Sequence, residues 1–357
     1  MRNTRWAFFG ACTRGTGVAL FNYAHSIEAI CGAKTVLIIC AYFPDPSYNS
    51  SVRRFRRRFP LVLEPKPSAH LQIKHHPVDA SFSFRDALSA SNATHLYASV
   101  SGIRMKDRQI RGQLRKLPAF LAVHAVFDAR SPWGDAFAKI SEAVRGNRVP
   151  VVPRMVTPLP PGTANLRASL RVPSDATVFC SYGGAHSFNL AFVRSTVCQA
   201  AALHSTNESL AAVWFLFANH APFCGSGSHP RAIFLPNLGL PEEKRDFINS
   251  CDAMLHARGE GETFGQAIAE FSQANKPILV WSGTTKDTAH LRMLGNRSIL
   301  YSQRSLFSKL ASFDRTTAAL QNWRAYEAYS PARVMRKFSK ALLRPRRHAQ
   351  ERPGPSS

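Results

Sequence analysis

The chain has 357 residues, with 46 Lys and Arg against 22 Asp and Glu, a formal charge of +24. A hydrophobic fraction of 45% with 24 Phe excludes a disordered chain, and no apolar run reaches the ~20 residues of a membrane-spanning helix. At roughly 100–200 residues per domain the length implies two or three domains.

The N-terminal stretch holds Arg2 and Arg5 before the apolar WAFFGAC. That run is too short for a signal peptide and is closed by Arg14, so Trp6–Gly10 reads as a first buried strand. Val18–Cys31 and Ser51–Arg58 read as helices. TVLIICAY (35–42), THLYASV (94–100) and FLAVHAVF (120–127) read as strands buried on both faces, and Gly134–Arg145 as a further helix. Five prolines between 149 and 162 forbid a regular helix and suit a linker. The alternation then restarts. Strands are expected at 177–184, 213–218, 231–236, 253–257 and 276–281, with helices at Asn189–His204, Glu242–Ser250 and Glu262–Ala274. Strands alternating with helices mark parallel sheets flanked by helices. The expected organisation is a first α/β domain over 1–150, a linker over 151–162, a second α/β domain over 163–343 and a disordered basic tail over 344–357. Ligands of such folds bind outside the carboxyl ends of the strands, here in a cleft between the two halves.

The seven cysteines, at 12, 31, 40, 180, 198, 224 and 251, include no CxxC pair. Their odd number and apolar settings suggest buried free thiols in a reducing, cytoplasmic compartment. The sequons at Asn49, Asn92, Asn207 and Asn296 are then chance matches. The densest charge cluster, Arg53, Arg54, Arg56, Arg57 and Arg58, reads as a solvated helix face. A phosphorylated acceptor, an anionic membrane surface or nucleic acid is the alternative partner, but no nucleic-acid recognition motif is visible. His75 and His76 are adjacent and have no acidic ligands after them, and no DxD, GxSxG, HExxH or Walker A string occurs, so no metal site is expected. Gly15 and Gly17 after the first strand, with Asp45 beyond the second, make a two-glycine match to a dinucleotide fingerprint that lacks its third glycine at Leu20.

The segment MLHARGEGETFGQAIAEFSQANKPILVW (254–281) carries the most chemistry. Gly259, Gly261 and Gly265 allow close approach to a ligand. Free amides from Thr263 to Gly265, at the start of a helix, suit a diphosphate. On a helix running from Glu262, Glu262 and Glu270 would project from one face two turns apart. An ordinary amphipathic helix with two solvated carboxylates fits the same spacing.

GETFGQAIAE resembles the E-x7-E motif of the family-4, GT-B retaining glycosyltransferases. A subgroup of that family is matched in order by RGTGVALFNYAH (14–25), HAVF (124–127), SPWGD (131–135), VVPRMV (151–156), YGGAHSF (182–188), DAMLHARGEGETFGQAIAEF (252–271) and TAHLRMLGNRSILY (288–301). The resemblance implies a GT-B fold of two Rossmann-like domains and metal-independent transfer of a sugar, with retention, from a nucleotide-sugar to a hydroxyl. The acceptor is a glycan, a lipid-linked chain or a protein, and no cofactor is needed. Glu270 would hold the ribose, and Glu262 and His124 the transferred sugar as catalytic-site residues. Thr263, Phe264, Gly265, Gly183 and Gly184 would cradle the donor, with Gly15, Thr16 and Gly17 beside the diphosphate and acceptor. Where the family carries a diphosphate-binding Arg and Lys, this chain has Ser181 and neutral residues near Phe188–Asn189. Pro132-Trp133-Gly134 stands for the subgroup's PHG, and Arg154 ends its VVPH. Arg258 is the first candidate to supply the missing cation, with Arg194 and Arg154 behind it. A basic anion- or nucleic-acid-binding protein with a decayed transferase site is the alternative.

Overall fold

The computed structural model describes residues 4–42, 48–65, 82–202, 212–225 and 229–343. Asp45, His75, His76, Asn207 and the tail from 344 lie outside them. The chain divides into two compact units, Met1–Met155 with Tyr329–Ser357, and Val156–Ala328.

The first unit runs β1 (Arg5–Ala11), α1 (Arg14–Cys31), β2 (Lys34–Ala41), α2 (Tyr48–Arg58), β3 (Val62–Leu63), α3 (Phe84–Ala90), β4 (His95–Val100), α4 (Arg104–Leu114), β5 (Phe120–Ala125) and β6 (Ala136–Lys139). Its six strands lie in the order β3-β2-β1-β4-β5-β6, every pair parallel. Successive residues of β1 serve opposite faces. Trp6 and Phe8 join the core beneath α1 and α2, while Ala7 and Phe9 join the core beneath α3 and α4. That two-sided burial explains the unbroken apolar runs.

The second unit repeats the scheme with β7 (Thr177–Tyr182), α5 (Ala191–Ala201), β8 (Val213–Ala218), β9 (Ala232–Leu235), α6 (Pro241–Asn249), β10 (Ala253–His256), β11 (Gly261–Glu262), α7 (Gln266–Gln273), β12 (Ile278–Trp281), β13 (Asp287–Thr288), α8 (Ala289–Leu294), β14 (Ile299–Tyr301), α9 (Leu306–Ala311) and α10 (Arg315–Ala319). Its main sheet is ordered β14-β12-β10-β7-β8-β9, again all parallel, and β11 pairs with β13 apart from it. Counted from its own first strand, each main sheet has the order 3-2-1-4-5-6 of dinucleotide-binding folds. A last helix, α11 (Pro331–Leu342), returns to the first unit. Its Val334, Met335, Phe338 and Leu342 enter the core there, with the Phe338 ring 5.2 Å from that of Tyr23.

Three expectations are corrected. Residues 134–145 are not a helix. Gly134 takes a φ of +85° and sends Ala136–Lys139 into the sheet as its sixth strand, all four residues buried. Helix-favouring alanines yield there to burial on both faces. The loop holding Gly15, Thr16 and Gly17 is instead the first turn of α1. Finally, the cysteines are not all free. Cys12–Cys40, Cys180–Cys251 and Cys198–Cys224 form disulfides and only Cys31 is a thiol. Parallel pairing sets the end of β1 beside the end of β2, which brings together cysteines 28 residues apart. No described helix is long and apolar enough to cross a membrane. In α2, Val52 and Phe55 face inward while Arg53, Arg56, Arg57 and Arg58 are exposed, as a solvated basic face requires.

Gly17 sits where α1 crosses the end of β1. A Cβ there would meet the Cys12 carbonyl carbon and oxygen at 2.2 Å, with backbone on both sides of the clash. Gly17→Ala is expected to destabilise the protein by at least about 2 kcal/mol, an overpacking cost. Urea denaturation checks this, and an unchanged midpoint would refute the close approach.

Candidate functional site

In the second unit, chain order reverses between β7 and its neighbour β10. The crevice outside the carboxyl ends of two such strands is where doubly wound sheets bind ligands. β7 ends at Tyr182 and runs into Gly183 and Gly184, and β10 ends at His256 and runs into the loop 257–260. The two loops are joined: Asn189 Nδ2 donates to Glu260 Oε2 at 3.0 Å, and the Gly259 amide donates to Asn189 Oδ1 at 2.8 Å. The Gly183 carbonyl accepts from Asn219 Nδ2 at 2.6 Å. A Cβ on Gly183 would lie 2.5 Å from Ser187 Oγ, so only glycine fits that turn without displacing Ser187.

Glu262 and Glu270 do not share a helix. Glu262 lies in β11, and α7 begins only at Gln266. Gly265, at φ +78° and ψ +71°, breaks any helix running from Glu262, because a right-handed helix cannot contain that conformation. The turn Thr263-Phe264-Gly265 therefore leads into the helix start with its amides unused by preceding helical turns. Thr263 is buried, and Phe264 is fully buried, its ring packed edge-on against Tyr326 at 5.4 Å and its carbonyl accepting from the Tyr326 hydroxyl at 2.7 Å. The side chain of Phe264 is core.

Each carboxylate is held by donors. Arg258 Nη1 donates to Glu262 Oε1 at 3.0 Å, and His256 Nε2 stands 3.9 Å from the same oxygen. Burial pushes the Glu262 carboxyl up, but His256 and Arg258 outweigh it and hold it down at about 2. The Glu262 amide donates to His290 Nδ1 at 3.3 Å. Burial pushes His290 down to about 4, so it is neutral at pH 7. Glu270 is 5% exposed. Its Oε1 accepts from Lys244 Nζ at 3.1 Å and Gln266 Nε2 at 3.1 Å; its Oε2 accepts from Lys244 Nζ at 2.9 Å and from the Tyr182 hydroxyl. Burial opposes this charge too, and Lys244 with the other donors overcomes it, so Glu270 titrates below the usual carboxylate range. Arg258 also approaches Glu260, at 3.7 Å. Arg194, in the first turn of α5, donates instead to a neutral acceptor, the Phe188 carbonyl, at 2.7 Å.

Four buried side chains at this edge hold nitrogen or oxygen atoms without a hydrogen-bond partner among the described residues. They are His220, His256, His290 and Gln266 Oε1. Native interiors leave few such atoms, and where they cluster a functional cause is expected.

The other sequence-selected residues lie in the first unit. His124, on β5, is 1% exposed, with Nδ1 2.8 Å from the Tyr97 hydroxyl and Nε2 without a partner among the described residues. Burial depresses it to about 4. Arg154 Nη2 donates to Thr16 Oγ1 at 3.1 Å, which ties the proline-rich segment to the first turn of α1 that holds Gly15 and Gly17. Among the described residues no group of three or more His, Cys, Asp or Glu is placed to hold a metal ion.

No protein-family profile matches the chain, and no curated protein matches it in sequence. Solved structures do match. A glycosyltransferase from Rickettsia africae superposes with a TM-score of 0.62 at 12% identity, over 95% of this chain and 98% of that one. HepE from Anabaena, in complex with UDP-glucose, gives 0.63 at 14% identity over 94% and 98%. A protein titled a putative UDP-N-acetylglucosamine 2-epimerase, from Listeria monocytogenes, gives 0.57 at 9% over 94% of each. At such identities the likeness establishes architecture alone. The fold is GT-B.

Sequence reading missed Lys244, Tyr182, Gln266 and His290. Lys244 sits in the string PEEKRD, indistinguishable from any solvated helix face, and only the fold brings it to Glu270. Removing one member of a buried pair typically costs about 3–5 kcal/mol. Glu270→Ala should therefore destabilise the chain by about that much, and Glu270→Ala with Lys244→Met should cost less than Glu270→Ala alone. Urea denaturation of the parent protein and the two variants decides it. A double variant no more stable than Glu270→Ala would deny that the ion pair is the source of the loss.

Proposed function

We propose that the chain transfers a sugar from a nucleotide-sugar to an acceptor hydroxyl, with the donor held at the carboxyl edge of the second sheet. The observation that carries this reading is the meeting, at the β7/β10 reversal, of the Gly183-Gly184 turn, the Glu262-Thr263-Phe264-Gly265 turn and Glu270, amid buried polar atoms that lack partners among the described residues. That is the order and chemistry of the E-x7-E donor motif. The amides of Thr263 to Gly265 and the start of α7 face the diphosphate. Glu262 receives hydroxyls of the sugar, and Glu270 receives the ribose. Because Glu270 already accepts four hydrogen bonds, ribose binding exchanges one of them, with Gln266 the least costly as a neutral donor. His124 and the segment Gly15, Thr16 and Gly17 belong to the acceptor side.

Retention follows from a front-face path. The C1–O bond to the diphosphate breaks through an oxocarbenium-like state, the acceptor oxygen bonds to C1 on the same face, and the leaving phosphate takes the acceptor's proton. No protein carboxylate is then the nucleophile, and both glutamates position the donor. Charge on the leaving group needs a cation. Arg258 is committed to Glu262 and Glu260, so we assign that task to Arg194, which donates to the Phe188 carbonyl, lies over the Phe223 ring and meets no carboxylate among the described residues. Acceptors carrying phosphate, or an anionic membrane surface, suit the +24 charge.

Incubation with a panel of nucleotide-sugars, scored for free nucleotide, transferred sugar and epimerised donor, tests the reading. Release or transfer of sugar is expected; an epimerised donor with no transfer would replace it with an epimerase. Arg194→Ala should lower turnover about a hundredfold, with the melting temperature unchanged. Normal turnover in that variant moves the cation to Arg258. Turnover should survive EDTA, and loss restored by magnesium or manganese would make the reaction metal-dependent.

A further inference from the structure

Six of the seven cysteines are joined in three disulfides, at Cα separations of 5.3, 5.7 and 5.4 Å, within the span that a disulfide bridges. Cys12–Cys40 ties β1 to β2 in the first unit. Cys180–Cys251 ties β7 to the residue after α6, and Cys198–Cys224 ties α5 to the segment beyond β8. Three independent pairs, at separations of 28, 71 and 26 residues, are the pattern of an oxidising compartment; in a reducing one such bonds do not persist. That changes the meaning of the sequons. Asn92-Ala93-Thr94 lies in the turn between α3 and β4, and Asn296-Arg297-Ser298 in the turn between α8 and β14. Both asparagines are exposed, and neither side-chain amide has a hydrogen-bond partner among the described residues. Asn92 sits at φ +51°, which asparagine tolerates.

Their position in the fold is informative. Asn92 precedes the amino end of β4, and Asn296 the amino end of β14. In a parallel sheet the amino ends lie on the edge opposite the carboxyl ends where ligands bind. Bulk attached at these two asparagines therefore leaves the carboxyl edge of each sheet open. Asn49 differs, being inside α2, which follows the carboxyl end of β2.

We infer that this chain matures in an oxidising lumen and carries N-linked glycans on Asn92 and Asn296. In the attachment, Nδ2 of each asparagine bonds to C1 of an oligosaccharide carried on a polyprenyl diphosphate. The C1–O bond to that diphosphate breaks, the diphosphate leaves with the electron pair, and the amide loses one proton. Each disulfide forms as two thiols give up two protons and two electrons to an oxidised dithiol oxidoreductase.

The protein immunopurified from its own cells tests this. Alkylation in denaturant before reduction should label Cys31 alone, and after reduction all seven cysteines. Digestion with an amidase specific for N-glycans should lower the mass in two steps and convert Asn92 and Asn296 to Asp. Asn92→Gln and Asn296→Gln, expressed in those cells, should each remove one step. Seven alkylated cysteines before reduction would overturn the compartment. Intact disulfides with both asparagines unmodified would overturn the glycans, and a glycan on Asn49 in their place would overturn the argument from sheet polarity.

Discussion

Every strand of both main sheets runs parallel to its neighbours, so the chain leaves each strand at one common edge and must cross back to begin the next. Where the order of crossing reverses, two outgoing loops lie side by side with no helix between them. In the second unit these are the loops after β7 and β10, and the residues with chemical potential are theirs. The glycine pair, the joined Asn189–Glu260–Gly259 contacts, Arg258 and Glu262 are all consequences of that reversal. The disulfides respect the same frame: Cys12–Cys40 and Cys180–Cys251 reinforce the strands from which the reversals in the two sheets begin.

Two carboxylates kept charged, Glu270 buried and Glu262 half-buried, give the second unit its electrostatic character. Neither would stay ionised from burial alone, which favours the neutral acid. Glu270 is held by a lysine and two neutral donors, and Glu262 by an arginine with His256 beside it. The neighbouring His220 and His290 are pushed by burial to about 4, so they are neutral at pH 7; His290 accepts from the Glu262 amide. The edge is thus a place of fixed charge pairs and neutral donors, suited to a ligand rich in hydroxyls.

Much of this was legible in the sequence because strands buried on both faces announce themselves. VWFLFA became β8 with the same bounds, and the FLAVHAVF run became β5. The fold class followed from the alternation. What failed did so where long-range contacts overrule local pattern. Ala136–Lys139 looks helical and is a strand because β5 offers its free edge. The cysteine pairs are invisible because their spacing reflects topology and not motif. The sequence singles out Glu262 and Glu270 as a pair on one helix, and that geometry fails, since one glycine at positive φ separates Glu262 from the helix of Glu270. Lys244 carried no signal at all. The role of each site residue rests on chemistry that the sequence suggests and the geometry accommodates.

The charge balance around Glu270 decides which cations of this edge are left over. Ser181 is 4% exposed, inside the strand that ends at Tyr182. Its neighbour Tyr182 turns toward Glu270 and Lys244, whose ammonium lies over the Tyr182 ring at 5.5 Å; successive residues of a strand serve opposite faces, so Ser181 looks away from that pair. Lys244 is spent on Glu270. Under the proposed function, a cation for an incoming diphosphate comes from outside that pair. The amides at the start of α7 supply only partial charge, and Arg258 is neutralised by two glutamates. Arg194, set in the first turn of α5, donates to the Phe188 carbonyl and lies over the Phe223 ring, and it meets no carboxylate among the described residues.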